Sequence, residues 1–291
     1  MYVLGRFNLV RSLMVYIHRQ LAVDATIDAI PTPRETAAVV SADIERAAKS
    51  LAEDGYCAGL QLGPEALENL RRFSYGTISL AEGDERFPFA VSERAEAERK
   101  YGRKIRIGRF DHAMQNCPEI RSLATDPTII GIARTYLECQ PVYLGARIWW
   151  SFPANVGTSE KMSLGQGFHY DLDGYRSVAF FFNLTDVDHS SGAHALVRGS
   201  HLNKPWAAVL SLHKGKSDAQ IEKWYGKENQ VLLCGSAGSG FVEDLFCYHK
   251  GLHPVSGDRL MLQLRFGLRR YYEEPYSNFQ KVAKYGKAAR A

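Results

Sequence analysis

His169 and Asp171 stand two residues apart in the run Gly167-Phe168-His169-Tyr170-Asp171. In an extended strand, side chains two apart share a face, so this imidazole and this carboxylate project together while Tyr170 faces away. Two imidazoles and one carboxylate on one side of a metal make a facial triad, the ligand set of non-haem Fe(II) oxygenases, which leaves positions free for a cosubstrate and O₂. Tyr248-His249 supplies the best third ligand, with His253 as its rival in the approach to Pro254. Beyond the turn at Pro254-Val255-Ser256-Gly257-Asp258 an alternating strand begins, with Arg259, Met261, Gln263 and Arg265 on one face and Leu260, Leu262, Leu264 and Phe266 on the other. A guanidinium there can hold a dicarboxylate by two parallel charge-assisted hydrogen bonds, which a lysine cannot match in geometry. The constellation asks for 2-oxoglutarate, with Arg259 and Arg265 both available to bind it.

The elements that would position these residues follow from pattern. Glu35 to Asp54 reads as a helix ended by Gly55, Tyr56 to Leu62 as a strand, and Pro64 opens a helix through Phe73. Gly76 to Ala90, rich in glycine and charge, reads as an irregular loop near the mouth of the site. Pro118 to Cys139 reads as helix, broken at Asp126-Pro127. After Pro141 the character changes: Val142 to Phe152 alternates Arg147, Trp149 and Ser151 against Ile148, Trp150 and Phe152. Val178 to Leu184 is nearly all apolar, as a strand covered on both faces would be. Short strands separated by Gly-containing turns predict a closed or sandwiched jelly roll. Between His201 and Gly240 the pattern loosens into a helix near Ser217 to Tyr225 and a Gly/Ser run, an insertion of the length that usually covers a site.

The ordered set of an HxD pair, a distal histidine and an arginine ten positions later resembles the phytanoyl-CoA dioxygenase-like branch of the Fe(II)/2-oxoglutarate dioxygenases. Leu51-Ala52-Glu53-Asp54-Gly55-Tyr56 with Gly63-Pro64-Glu65, Asn183-Leu184-Thr185-Asp186-Val187-Asp188, and Arg198-Gly199-Ser200-His201 are similar to that branch too. The resemblance runs over most of the chain, to the strand containing Phe266. It implies an α+β protein with a double-stranded β-helix core, cupin-like, flanked by N-terminal helices. It implies Fe(II) on His169, Asp171 and His249, 2-oxoglutarate on Arg259 in preference to Arg265, and O₂ as the oxidant. It also implies a contribution to the cosubstrate from the strand before HxD, from Trp149 or its face neighbours Arg147 and Ser151. In related halogenases the acidic position is a small residue, so Asp171 implies oxygenation. The expected activity is hydroxylation of an unactivated C–H bond in a small-molecule, lipid-linked or sugar-containing substrate, with release of succinate and CO₂. A non-catalytic jelly-roll ligand-binding or scaffold protein is the alternative.

Each residue also has a plainer role open to it. A single strand histidine is more often a hydrogen-bonded structural residue than a ligand, and it is the order of the whole set that reverses this for His169. His189, His194 and His201 lack matched spacing for a second metal cluster. Trp149 fits ordinary core packing equally well. Asp173, Tyr175 and Arg176 follow HxD and fit either a substrate-facing or a solvated loop.

A chain of 291 residues fits one elaborated β domain, and its 45% apolar content is ample for a core. A net charge of +4 with no basic stripe interleaved with aromatics argues against nucleic acid. Cys57, Cys117, Cys139, Cys234 and Cys247 are scattered without a CxxC, as expected for a reduced cytoplasmic protein rather than a disulfide or zinc scaffold. The expected organisation is an amphipathic helix over 1–23, a Pro-containing linker over 24–34, a dioxygenase domain over 35–270 with a lid insertion at about 202–240, and a basic tail over 271–291. The first helix carries Leu4, Phe7, Val10, Leu13, Ile17 and Leu21 with Arg6, Arg11 and Arg19, and no acid precedes Asp24. Its charges exclude a membrane span and a secretory signal. It is expected to pack on the barrel or a second subunit, or to settle on an anionic membrane surface, which the tail lysines Lys281, Lys284 and Lys287 would favour.

Overall fold

The computed structural model describes residues 4–21, 38–40, 42–153, 167–172, 174–211, 213 and 215–269. The expected linker over 24–34, the tail over 271–291 and Asp173 lie outside the described residues.

The chain runs α1 (Asn8–Leu21), α2 (Ile44–Glu53), β1 (Tyr56–Gln61), α3 (Pro64–Gly76), β2 (Ser79–Ala81), β3 (Pro88–Phe89), α4 (Arg94–Tyr101), β4 (Ile107–Arg109), α5 (Ala113–Asn116), α6 (Pro118–Leu123) and α7 (Pro127–Leu137). It continues with β5 (Val142–Ser151), β6 (Ser177–Asn183), β7 (His194–Val197), α8 (Trp206–Leu210), α9 (Asp218–Tyr225), β8 (Gln230–Leu233), β9 (Ser239–Asp244), β10 (His249–Gly251) and β11 (Arg259–Gly267). Eight strands form an antiparallel sheet in the order β1-β9-β6-β11-β5-β4-β2-β3, and three form a second sheet, β10-β7-β8. Phe181 of β6, Phe241 of β9 and Met261 of β11 pack with Leu233 of β8 and with Trp149, so the two sheets face each other across a shared lumen. The strand pattern predicts a sandwiched jelly roll, and the double-stranded β-helix implied by the family resemblance is what forms.

Alternation decides what each face does. Ile148, Trp150, Phe152, Phe180, Phe182, Leu262, Leu264 and Phe266 join Leu51, Ile120, Ile129 and Ile132 in the outer core between the large sheet and the helices. The other face sends Arg147, Trp149, Ser151, Gln263 and both β11 arginines inward, with Arg259 opposite Ser151 and Met261 opposite Trp149. Asp126 ties the helical layer to the chain's start. One oxygen caps α7 at Thr128 and Ile129, and the other accepts the amides of Ala38 and Val39.

Four sequence expectations need correction. The helix predicted over Glu35 to Asp54 begins at Ile44, because Asp43 accepts the Arg46 amide as its cap and Val39 instead bridges Leu62 at the sheet edge. The loop predicted over Gly76 to Ala90 contains β2 and β3, which extend the large sheet beyond β4. The predicted lid over 202–240 is no lid among its described residues: Ala208 and Ile221 pack on Phe168, Tyr170 and Tyr248 behind the small sheet, and β8 is one of its strands. At the N-terminus, Arg6 before α1 and Arg11 and Val15 within it are buried, while Leu4 before the helix and Leu9, Leu13 and Tyr16 on it face outward. Among the described residues no helix is long and apolar enough to cross a membrane.

Leu262, fully buried between the large sheet and the helices, should be among the costliest truncations. Leu262→Ala is expected to destabilise the protein by about 2–5 kcal/mol, read as a lowered midpoint in denaturant unfolding.

Candidate metal centre

The two short segments that carry the candidate ligands hydrogen-bond to each other. The His169 amide donates to the His249 carbonyl at 3.0 Å and the His249 amide returns to His169 at 2.8 Å. Residues opposite each other in such an antiparallel pair point to the same side. The imidazoles therefore meet, with ring centroids 4.6 Å apart. Asp171, two residues on, returns to that side, and its amide is held at 2.8 Å by the Leu245 carbonyl. One donor atom from each of His169, Asp171 and His249 then lies within 4.8 Å of the others. Among the described residues no other trio of His, Cys, Asp and Glu gathers this way. His189, His194 and His201 do not.

The second atoms of these side chains are committed elsewhere. His169 Nδ1 lies 2.8 Å from the Gly167 carbonyl and His249 Nδ1 lies 3.0 Å from that of Cys247. A carbonyl only accepts, so each Nδ1 carries the proton and each Nε2 keeps its lone pair for a metal. Burial holds His249 down to about 4, which leaves it neutral near pH 7. Arg265 donates through Nη2 to Asp171 Oδ2, while Asp171 Oδ1 is the oxygen 4.0 Å from His169 Nε2. The donor set is that of a 2-His-1-carboxylate site, and the residues fit a divalent metal such as Fe(II).

Arg259 has a different place. It is buried, and its Nη2 donates to Ser151 Oγ at 3.1 Å while Nη1 donates to the Gly192 carbonyl. Its Nε is buried without a hydrogen-bond partner in the structure. A methyl group on Gly251 would sit 3.5 Å from Arg259 Nη2. Gly251 is two residues from His249 on the same face of β10, a separation of about 7 Å. The arginine rivalry left open by alternation thus separates: Arg265 orients the carboxylate and Arg259 stands at the far end. Trp149 faces the lumen beside Met261 and Phe181. His253 is not in the trio. Tyr175 packs on the outer core and Arg176 donates to the Tyr136 carbonyl, so neither serves the site.

A buried pair escaped the sequence reading. His194 Nε2 lies 2.8 Å from Glu243 Oε2, and Glu243 Oε1 is 3.7 Å from His249 Nδ1. Both residues are almost wholly enclosed in the lumen. Burial pushes the Glu243 carboxyl up to about 7 and holds His194 down to about 3. The signal available was Glu243, one of two adjacent acids, Glu243 and Asp244, in the largely apolar run from Phe241 to Phe246.

The passages flanking the site hold the corner that carries His249. Ser200 Oγ accepts the Tyr248 amide at 2.8 Å, the Gly55 carbonyl accepts that of Asp244 at 2.8 Å, and the Asp54 carbonyl accepts that of Gly199 at 2.8 Å. Gly55 has a φ of +83°, and a Cβ there would fall 2.2 Å from Cys247 Sγ, so this position requires glycine.

Solved structures share this fold. HygX from Streptomyces hygroscopicus, crystallised with nickel and 2-oxoglutarate bound, matches with a TM-score of 0.56 at 16% identity, covering 80% of this chain and 90% of its own. SnoN, a non-heme alpha-ketoglutarate-dependent epimerase from nogalamycin biosynthesis, matches at 0.53 and 16%, covering 77% and 80%. SnoK, a carbocyclase from the same biosynthesis, matches at 0.52 and 17%, covering 87% and 94%. At such identities the likeness establishes the fold. No protein-family model matches the sequence, and no curated protein does.

His169→Ala and Asp171→Ala should each abolish tight divalent-metal binding in calorimetric titration while leaving the far-UV spectrum unchanged. A pH dependence of stability also follows for the metal-free protein. His194 and His249 take up protons in the unfolded chain below the ordinary value of about 6.5, whereas folded they resist to about 3 and about 4. The unfolded state then binds more protons, so stability falls as pH drops below 6.5. Glu243, raised to about 7, works oppositely with one proton against two. The melting temperature should therefore fall between pH 6.5 and 4.5.

Proposed function

We propose that this protein is an Fe(II)- and 2-oxoglutarate-dependent oxygenase of the phytanoyl-CoA dioxygenase-like kind. One observation carries the reading: His169, Asp171 and His249 present donor atoms within 4.8 Å of one another, with a buried guanidinium held over a side-chain-free position on the ligand strand. His169, Asp171 and His249 would hold the iron, and Arg259 would anchor the far carboxylate of 2-oxoglutarate. Iron with 2-oxoglutarate and O₂ supplies an oxidant for unactivated C–H bonds, with succinate and CO₂ released.

The chain's own residues orient and insulate. Arg265 takes one oxygen of Asp171 and leaves the other toward the metal. The Gly167 and Cys247 carbonyls fix the imidazole planes. Ser151 and the Gly192 carbonyl aim Arg259. Phe181, Phe241, Met261 and Trp149 wall the lumen with apolar surface, which limits water around the reacting groups.

Hydroxylation is the proposed outcome because Asp171 completes the triad instead of leaving its place to a halide. The fold itself does not choose, since the similar structures include an epimerase and a carbocyclase. A small-molecule, lipid-linked or sugar-containing substrate is proposed. Five free thiols support a cytoplasmic setting. A non-catalytic ligand-binding jelly roll is the competing reading.

The test is succinate release with Fe(II) and 2-oxoglutarate over a panel of candidate substrates. Wild type should release succinate above a protein-free control, His249→Ala should not, and Arg259→Gln should raise the half-saturating 2-oxoglutarate concentration by about tenfold or more. Ligand binding without succinate from any panel member would favour the non-catalytic reading.

A further inference from the structure

The N-terminal turn and α1 are docked by two buried arginines, Arg6 and Arg11, together with one apolar core side chain, Val15. Leu9 is 87% exposed, while Arg11 is only 8% exposed. Arg6 donates to the Ser211 carbonyl and Asn8 to the Leu202 carbonyl, both on the backing layer behind the small sheet. Arg11 reaches deeper. Its Nη2 lies 3.6 Å from Asp244 Oδ2, and its guanidinium stacks 3.7 Å from the centre of the Phe246 ring.

The corner it meets, Asp244 to His249, joins β9 to β10. Asp244 shapes this turn from within: Oδ1 accepts the Phe246 amide at 2.7 Å, and its carbonyl accepts the Cys247 amide at 2.9 Å. Its other oxygen, Oδ2, also accepts the Tyr136 hydroxyl at 2.5 Å. Two carbonyls of the same turn serve the candidate ligands, Leu245 holding the Asp171 amide and Cys247 holding His249 Nδ1. Burial works to raise the Asp244 carboxyl, and Arg11 with His201 overcomes it, so the carboxylate stays charged to cap the turn. Lys204 lies nearby, its amine 4.3 Å from the Phe246 ring and 4.0 Å from that of Tyr248, with burial lowering its pKa to about 7.

We propose that Arg11 is a positioning residue for the metal centre: paired with Asp244 and stacked on Phe246, it clamps the turn whose carbonyls orient Asp171 and His249. The inference rests on the metal-centre reading above. The N-terminal helix is then part of the site's support, although no atom of it reaches the lumen ligands.

Two readouts test this on the full chain: Co(II) affinity by calorimetry, with the Co(II) visible absorption bands, and amide hydrogen exchange of the metal-free protein at Asp171, Phe246 and Cys247. Arg11→Met keeps length and packing but loses charge, and Arg11→Gln applies the same criterion should the first not fold. Either should weaken Co(II) by about ten- to hundredfold, shift the absorption bands and speed exchange at the three amides. Arg11→Lys should recover part of the affinity, and Leu13→Ala, on the exposed face of the same helix, should match wild type. Wild-type affinity, bands and exchange in Arg11→Met or Arg11→Gln would overturn the clamp. If wild type itself takes up no Co(II), the metal-centre reading fails separately, and unchanged exchange in the variants then overturns the clamp on its own.

Discussion

His169 and His249 exchange two backbone hydrogen bonds, 3.0 and 2.8 Å long, across segments eighty residues apart in sequence. That reciprocal pair is the constraint on which the site depends. It sets the two imidazoles side by side on the lumen face and, through the strand period of two, brings Asp171 to the same side. The same period sends Phe168, Tyr170 and Tyr248 to the opposite face, where they form a second small core with Phe246, Ala208 and Ile221. A slip of one residue in either segment would exchange the two sets, placing aromatic rings in the lumen and ligands in the backing layer. The apolar backing thus fixes the register, and the register fixes the chemistry.

Charge in the lumen is arranged by pairing. An enclosed cation or carboxylate is costly unless met by an opposite charge or hydrogen bonds. Arg265 meets Asp171, His194 meets Glu243, and Arg259 meets Ser151 and the Gly192 carbonyl. Among the candidate ligands, Arg265 takes one oxygen of Asp171, while the Gly167 and Cys247 carbonyls orient the imidazoles of His169 and His249. Arg259 Nε is buried with no hydrogen-bond partner among the described residues, and its Nη2 lies against the side-chain-free Gly251. The cluster of polar groups in this apolar barrel gives the lumen a chemical direction, with the three candidate metal ligands at one end and the buried Arg259 guanidinium at the other.

The strands and the candidate site were readable because both obey local alternation. Residues 142–152 and 259–266 write their two faces directly into the sequence, the near-continuous apolar run 178–184 marks a strand covered on both, and the HxD pair alternates over three residues. What escaped is non-local. The roles of Arg259 and Arg265 depend on which end of β11 faces Gly251 and which faces Asp171, and no periodicity reports that. Glu243 and Asp244 stand side by side in the run from Phe241 to Phe246, and nothing local says that one of them meets a histidine across the lumen. The segment over 202–240 has the length and composition of a cover, but Ile221 and β8 find their apolar partners behind the small sheet. In α1 the leucine spacing suggested the buried face, whereas Asp244 and the Phe246 ring give Arg11 a better enclosed partner than the sequence discloses.

X-ray absorption at the iron edge of anaerobic, Fe(II)-loaded protein measures the central claim directly. Convergence of His169, Asp171 and His249 requires two imidazoles in the scattering pattern, with oxygen donors completing the nearest shell, and one imidazole fewer when His249 is replaced by Ala. A nearest shell with no histidine scattering, or one unchanged in His249→Ala, would contradict it.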